Sequence, residues 1–389
     1  MKRLFIFSIS LLLFLSGFAQ QEIGRGGGIQ IESPVIKNVV TFSLLAPNAQ
    51  SVSLTGDVMR GLGTTERTVD MVKGENGVWS YTSPPMPSDL YTYSFMVDGV
   101  RTLDPNNVYV NRDVATITSM FIVGNGIGDL YQVNKVPHGT VIRTWYPSPT
   151  NVDTPVRRIT IYTPPGYETG GQSYPVFYLL HGGGGDEEAW ITQGRTAQIM
   201  DNLIAQGRAV PMIVVMTNGN VVQEAAPGES SIGLQKPTMG LPKTMDGTFE
   251  TTFPDIIKFV ETSFRVKATK SDRAIAGLSM GGFHTMHISR YYPNTFDYIC
   301  LFSAATLNFG SPCPVYENFV PTLQAQSRNG YKLYWIGMGK TDFLYQSGLE
   351  FNKQLDDIGM KYTYRESEGG HTWTNWRMYL TEFVPLLFK

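Results

Sequence analysis

The hydrophobic period of this chain changes once, near Pro137, and that change limits the architectures open to it. Before it, from about Val39 to Val123, apolar and polar residues alternate in short runs, such as Val39 to Leu45, Ser51 to Leu54, Val78 to Tyr81 and Tyr91 to Val97. Pro47-Asn48, Gly74-Glu75-Asn76-Gly77 and Asp98-Gly99 punctuate them. A period of two buries one face only, and turns this close together fold the runs into a small β-sandwich. After Pro137 the strand candidates are more continuously apolar and are separated by helical stretches: Arg158 to Tyr162, Val176 to Leu180, Ile213 to Thr217, Arg273 to Ala276, Tyr298 to Phe302 and Leu333 to Ile336. Strands apolar on both faces need cover on both, so this half predicts a mostly parallel sheet flanked by helices. Phe253, Ile256, Ile257, Val260 and Phe264 supply one such amphipathic helix, just before the strand at Arg273.

The 389 residues are enough for two domains. A sandwich is expected over 22–127, a linker and first strand region over 128–157, and an α/β domain over 158–389. Ahead of them, Met1-Lys2-Arg3, an apolar run from Leu4 to Leu15, and Ser16-Gly17-Phe18-Ala19 have the three parts of a secretory signal peptide, 1–19, with cleavage after Ala19. The run falls short of the roughly 18 residues that a spanning helix needs. A secreted or periplasmic protein, with no membrane attachment after signal removal, is expected. A formal charge of −2, with no basic run beyond the first three residues, gives no field to gather nucleic acid or anionic lipid, and points to a neutral substrate. Two cysteines, Cys300 and Cys313, exclude a disulfide framework, although export would permit one bridge. No Cys/His spacing suggests zinc, so no metal and no cofactor are expected.

Chemistry concentrates in the second half. Gly277-Leu278-Ser279-Met280-Gly281 follows a strand and precedes a helix. In a nucleophile elbow the sharp strand-to-helix turn leaves little room for side chains, so glycines flank the serine and its Oγ projects above the sheet. His181-Gly182-Gly183-Gly184-Gly185 follows another strand, and successive glycines let backbone N–H groups turn toward a developing oxyanion. Gly182 and Gly183 are candidate donors, with the N–H of Met280 as their partner. A serine hydroxyl needs a neutral imidazole to take its proton. Of His138, His181, His284, His287 and His371, only His371 sits on a late loop beyond the serine, after Glu368-Gly369-Gly370. The carboxylate that orients it should lie at a strand end between the two. Asp342 does, just beyond Leu333 to Ile336, whereas Asp356 and Asp357 fall in a polar helical stretch, and Glu366 and Glu368 lie too near His371 in sequence. This is the constellation of an α/β-hydrolase.

Tyr162-Thr163-Pro164-Pro165-Gly166-Tyr167, His181 to Gly185, Ala276 to Gly282 and Gly370-His371 together resemble carbohydrate esterase family 1 over nearly the whole C-terminal domain. In the N-terminal segment, Phe42 to Ala49, Gly77-Val78-Trp79, and Tyr91 to Gly99 followed by Asp104-Pro105 resemble the immunoglobulin-like carbohydrate-binding modules of family 48. The resemblance implies a serine esterase acting on acylated plant cell-wall polysaccharide or oligosaccharide, with feruloyl groups first and acetyl next. The residues themselves reach only as far as a serine acyl-hydrolase. They leave open an esterase of small non-carbohydrate or siderophore esters, and a carbohydrate-binding protein without activity.

Trp373 and Trp190 are candidate substrate contacts, and Trp376 a weaker one. Val221 to Thr248, rich in Gly, Pro, Ser and Met, is either a loop covering substrate or a mobile insertion. Trp79 is the one tryptophan of the N-terminal module, and its place suits core packing as well as a sugar platform. The module is therefore expected mainly to pack against and orient the catalytic domain, so that deleting it lowers stability more than turnover of a small aryl ester.

Overall fold

A computed structural model describes residues 30–231, 233, 236–306 and 310–389; the expected signal segment, 1–19, lies outside them. The N-terminal module is a sandwich of two sheets. One has the strand order Val35–Ile36, Val40–Leu45, Val78–Thr82, Val72–Lys73. The other runs Thr68–Asp70, Val52–Thr55, Asp89–Val97, Thr116–Val123, Val110–Asp113, with Val100–Thr102 also paired to Asp89–Val97. Their inward residues, among them Phe42, Leu54, Tyr91, Tyr93, Phe95 and Phe121, form one core. Trp79 belongs to that core and donates its indole N–H to the Ala46 carbonyl, which makes it a packing residue and removes it as a sugar platform.

The second half forms an eight-stranded sheet in the order Thr140–Pro147, Val156–Thr163, Ile213–Thr217, Val176–Leu180, Arg273–Leu278, Tyr298–Phe302, Leu333–Gly339, Thr363–Ser367. From Ile213–Thr217 onward every pairing is parallel; the first two strands form an antiparallel edge. Alternation within the apolar runs sends side chains to separate cores. Val176, Tyr178 and Leu180 face one, with Phe253, Ile256 and Val260 of the helix Thr248–Ser263, and Phe177 and Leu179 face the other. The expected amphipathic helix thus buries its predicted stripe.

That second core does not stop at the domain seam. Leu90, Met120, Leu130 and Tyr131 of the N-terminal part share it with Trp190, Met200, Leu203 and Trp376. Arg377, itself buried, crosses the seam and donates to the carbonyls of Gln193 and Leu90 at 3.1 Å each. A buried guanidinium paired this way ties the halves together, because parting them breaks its charge-assisted bond to the Leu90 carbonyl and exposes the apolar surface packed around it.

Candidate active site

Register places the chemistry. Leu180 pairs with Gly277 across neighbouring central strands, so the chain leaving Leu180 as His181-Gly182 meets the chain leaving Leu278 as Ser279. Gly339 pairs with Ser367, so the loops carrying Asp342 and His371 emerge beside each other at the same edge. All lie beyond the carboxyl ends of parallel strands, where open α/β sheets bind ligands.

Ser279 has φ 52° and ψ −113°, the strained turn of an elbow, and Met280 opens the helix Met280–Tyr291. The glycines are sterically required. A Cβ on Gly277 would lie 2.2 Å from the Gly281 carbonyl oxygen, and one on Gly281 would lie 2.4 Å from the His181 carbonyl oxygen. Gly182 approaches the serine so closely that a Cβ there would stand 3.3 Å from Ser279 Cβ.

His181 anchors the glycine loop. Its Nε2 accepts the Gly219 N–H at 2.8 Å, which puts the ring proton on Nδ1, and Nδ1 donates to the Gly182 carbonyl at 2.7 Å. Burial lowers its pKa to about 4, so the ring is neutral near pH 7. The Gly185 carbonyl is held by the Asn220 amide at 2.8 Å.

His371 Nδ1 lies 3.0 Å from each Asp342 carboxylate oxygen. The bond assigns the proton to Nδ1 and leaves Nε2 free to accept one. Asp342 is buried, and its Oδ1 also accepts the Leu344 N–H at 2.9 Å. The imidazole is held between aromatic rings, with the Phe343 centroid at 4.5 Å and that of Trp376 at 5.0 Å. The competing carboxylates are engaged elsewhere: Glu366 accepts the Tyr345 hydroxyl at 2.6 Å, and Glu368 pairs with Lys340 at 2.6 Å. His284 is buried against Glu250, His287 accepts from Arg290, and His138 faces Asp201.

Ser279, His371, Gly182 and Gly183 line one cavity of about 540 Å³ with Trp373 and Trp376. Trp190, expected as a substrate contact, stands behind that lining. It is 1% exposed, donates its indole N–H to the Leu180 carbonyl and meets Trp373 edge-on, so it supports a cavity-lining ring. Within 221–248, Met239 reaches the cavity, and its carbonyl would lie 3.2 Å from a Cβ on Gly183. Glu187 ties this segment down, accepting the Ala226 N–H at 2.7 Å and the Asn218 amide at 2.9 Å. Burial, with the nearby Asp186 charge, raises the Glu187 pKa to about 7. Cys300 and Cys313 are both free thiols.

The far wall was not legible in the sequence. Asn111, Asp113 and Val114 of the N-terminal module line the same cavity. Nothing local marks them, because they meet the glycine loop across about 70 residues of chain, as the bond between Arg112 and Asp186 shows.

An eight-stranded sheet with helical cover on both faces, an elbow serine, and a histidine–carboxylate pair at the same strand ends define an α/β-hydrolase. The family model described as "Putative esterase" matches residues 154–387, and the chain belongs to that family. A model of carbohydrate-binding module 48, the isoamylase N-terminal domain, matches residues 28–110. The chain is 31% identical over 361 residues to an endo-1,4-beta-xylanase/feruloyl esterase of Xylanibacter ruminicola, covering 90% of this chain and 44% of that one. It thus spans less than half the length of that relative. A solved ferulic acid esterase is 26% identical, with a TM-score of 0.53, over 64% of this chain and 97% of that one. The enterobactin esterase of Shigella flexneri shares the two-part fold at 16% identity, with a TM-score of 0.63, over 90% of this chain and 93% of that one.

Proposed function

We propose that the protein is a secreted serine esterase that removes acyl groups, feruloyl first and acetyl next, from plant cell-wall polysaccharide such as arabinoxylan. His371 takes the Ser279 proton as Oγ attacks the ester carbonyl. The N–H groups of Gly182, Gly183 and Met280 receive the oxyanion, each such donor lowering the barrier by about 3 kcal/mol. The tetrahedral species collapses as the bond to the sugar oxygen breaks and His371 gives that oxygen its proton, releasing the sugar alcohol and leaving the acyl group on Ser279. Water, deprotonated by the same imidazole, then releases the acid, while Asp342 stays ionised. Trp373 and Trp376 give the cavity an aromatic side that suits an aromatic acyl group.

The observation that carries this proposal is the two-oxygen hold of Asp342 on His371 Nδ1, in a loop that shares its cavity with the elbow serine. The substrate class draws on the names of the feruloyl esterase relatives, and export on the pattern of residues 1–19. The test is release of ferulic acid and of acetic acid from one arabinoxylan preparation by the wild type and by Ser279→Ala. Ferulic acid released by the wild type alone supports the proposal. Failure on both acyl groups, with small esters still cleaved, redirects it to a small-ester hydrolase.

A further inference from the structure

The glycine loop is gripped from two sides. On the catalytic side His181 and Asn220 hold the carbonyls of Gly182 and Gly185. On the other side stands the module's hairpin of Val110–Asp113 and Thr116–Val123. Its tip residue Val114 has φ 50°, a conformation that a β-branched side chain adopts only when its surroundings impose it. The two-residue turn between Asp113 and Thr116 demands it, and Arg112 ties that turn to the loop: Nη1 donates to the Val114 carbonyl at 3.1 Å, and Nη2 donates to Asp186 Oδ2 at 2.5 Å. Asp186 is buried, follows directly on Gly185, and accepts the Glu188 N–H through its other oxygen at 3.0 Å. The Val114 methyl groups occupy the space beside Gly184, 2.7 and 3.0 Å from where a Cβ would stand.

We infer that Arg112, with Val114, is a positioning residue for the oxyanion loop, so that the N-terminal module sets the rate of acyl transfer at Ser279 even on a small soluble ester. This rests on the triad and oxyanion roles proposed above. It also departs from the sequence-based expectation, in which losing the module affects stability more than turnover. Four consecutive glycines, Gly182 to Gly185, give the loop no stiffness of its own. A charge-assisted bond at Asp186 and a methyl contact at Gly184 fix the peptide planes whose N–H groups meet the oxyanion. Small errors in such placement cost rate steeply.

The test uses the full-length chain, p-nitrophenyl acetate, and an arylboronic acid that forms a tetrahedral adduct on serine. Arg112→Ala should lower kcat about tenfold or more, leave KM within about twofold, and weaken boronate affinity by a similar factor. Arg112→Lys should recover part of the loss. Val114→Gly, relieved of backbone strain, should fold at least as stably and still lose kcat, which keeps the test sound if Arg112→Ala folds poorly. Asn134→Ala removes a seam bond to Asn202, 2.9 Å long, between residues that do not line the cavity, and should leave kcat unchanged whatever it does to Tm. Unchanged kcat in both Arg112→Ala and Val114→Gly overturns the inference, as does a kcat loss in Asn134→Ala that matches its fall in Tm. Activity surviving in Ser279→Ala brings down the triad proposal and this inference with it, an outcome read separately from the others.

Discussion

An imidazole can take the Ser279 proton through Nε2 only while its other nitrogen keeps a proton, and Asp342 holds that proton with both oxygens at 3.0 Å. Asn in its place presents an amide that can donate to Nδ1 and favour the wrong tautomer. Asp342→Asn should therefore lower kcat by about 10³- to 10⁴-fold with KM little changed, as measured by steady-state kinetics on a soluble aryl ester. A near-silent variant would return the role to Glu366 or Glu368. The same single-residue logic applies to Trp373, which lines the cavity while Trp190 behind it does not. Trp373→Ala should raise KM for an aromatic acyl ester more than for an acetyl ester, and equal changes for the two would remove it from the acyl side.

The elements that carry these residues were legible to different depths. Strands Val176–Leu180, Ile213–Thr217 and Tyr298–Phe302 stand where their apolar runs place them, because a strand buried on both faces reads as a near-continuous apolar run. The edge strand Thr140–Pro147 has one exposed side, and its mixed pattern does not distinguish it from a linker. The elbow is readable because its glycines are forced by contacts close in sequence, Gly277 against Gly281. A second requirement, on Gly281 itself, is its approach to the His181 carbonyl, which comes from a different strand and has no sequence signature. Gly281→Ala tests the second. With a Cβ 2.4 Å from a backbone oxygen, it should destabilise the fold by about 1–3 kcal/mol in urea titration and depress activity. A variant of wild-type stability and rate would mean that the elbow is looser than its geometry.

For the whole molecule, the shared core and the buried Arg377 make the two units one cooperative body, although their patterns in sequence are as distinct as those of separate domains. That body carries ionisable groups whose protonation differs on unfolding. Burial lowers His181 to about 4, and burial with the Arg290 charge lowers His287 to about 2. Both take up a proton when unfolded at a pH below their ordinary 6.5. Glu187, raised to about 7 from 4.5, loses one between those values. Two protons gained against one lost leave a net uptake of about one on unfolding between pH 5 and 6. Stability should then rise with pH there, by about 1.4 kcal/mol per unit. Urea midpoints in that interval check it; a flat or falling trend contradicts it, and Glu187→Gln should steepen the rise.

Every step of the proposed chemistry depends on Ser279 carrying the acyl group. Its direct test is peptide-resolved mass spectrometry of enzyme acid-quenched during turnover of a feruloyl ester. The predicted result is a feruloyl adduct on the peptide containing Gly277-Leu278-Ser279-Met280-Gly281, absent from Ser279→Ala together with turnover. An adduct on another residue, or undiminished turnover by Ser279→Ala, would contradict it.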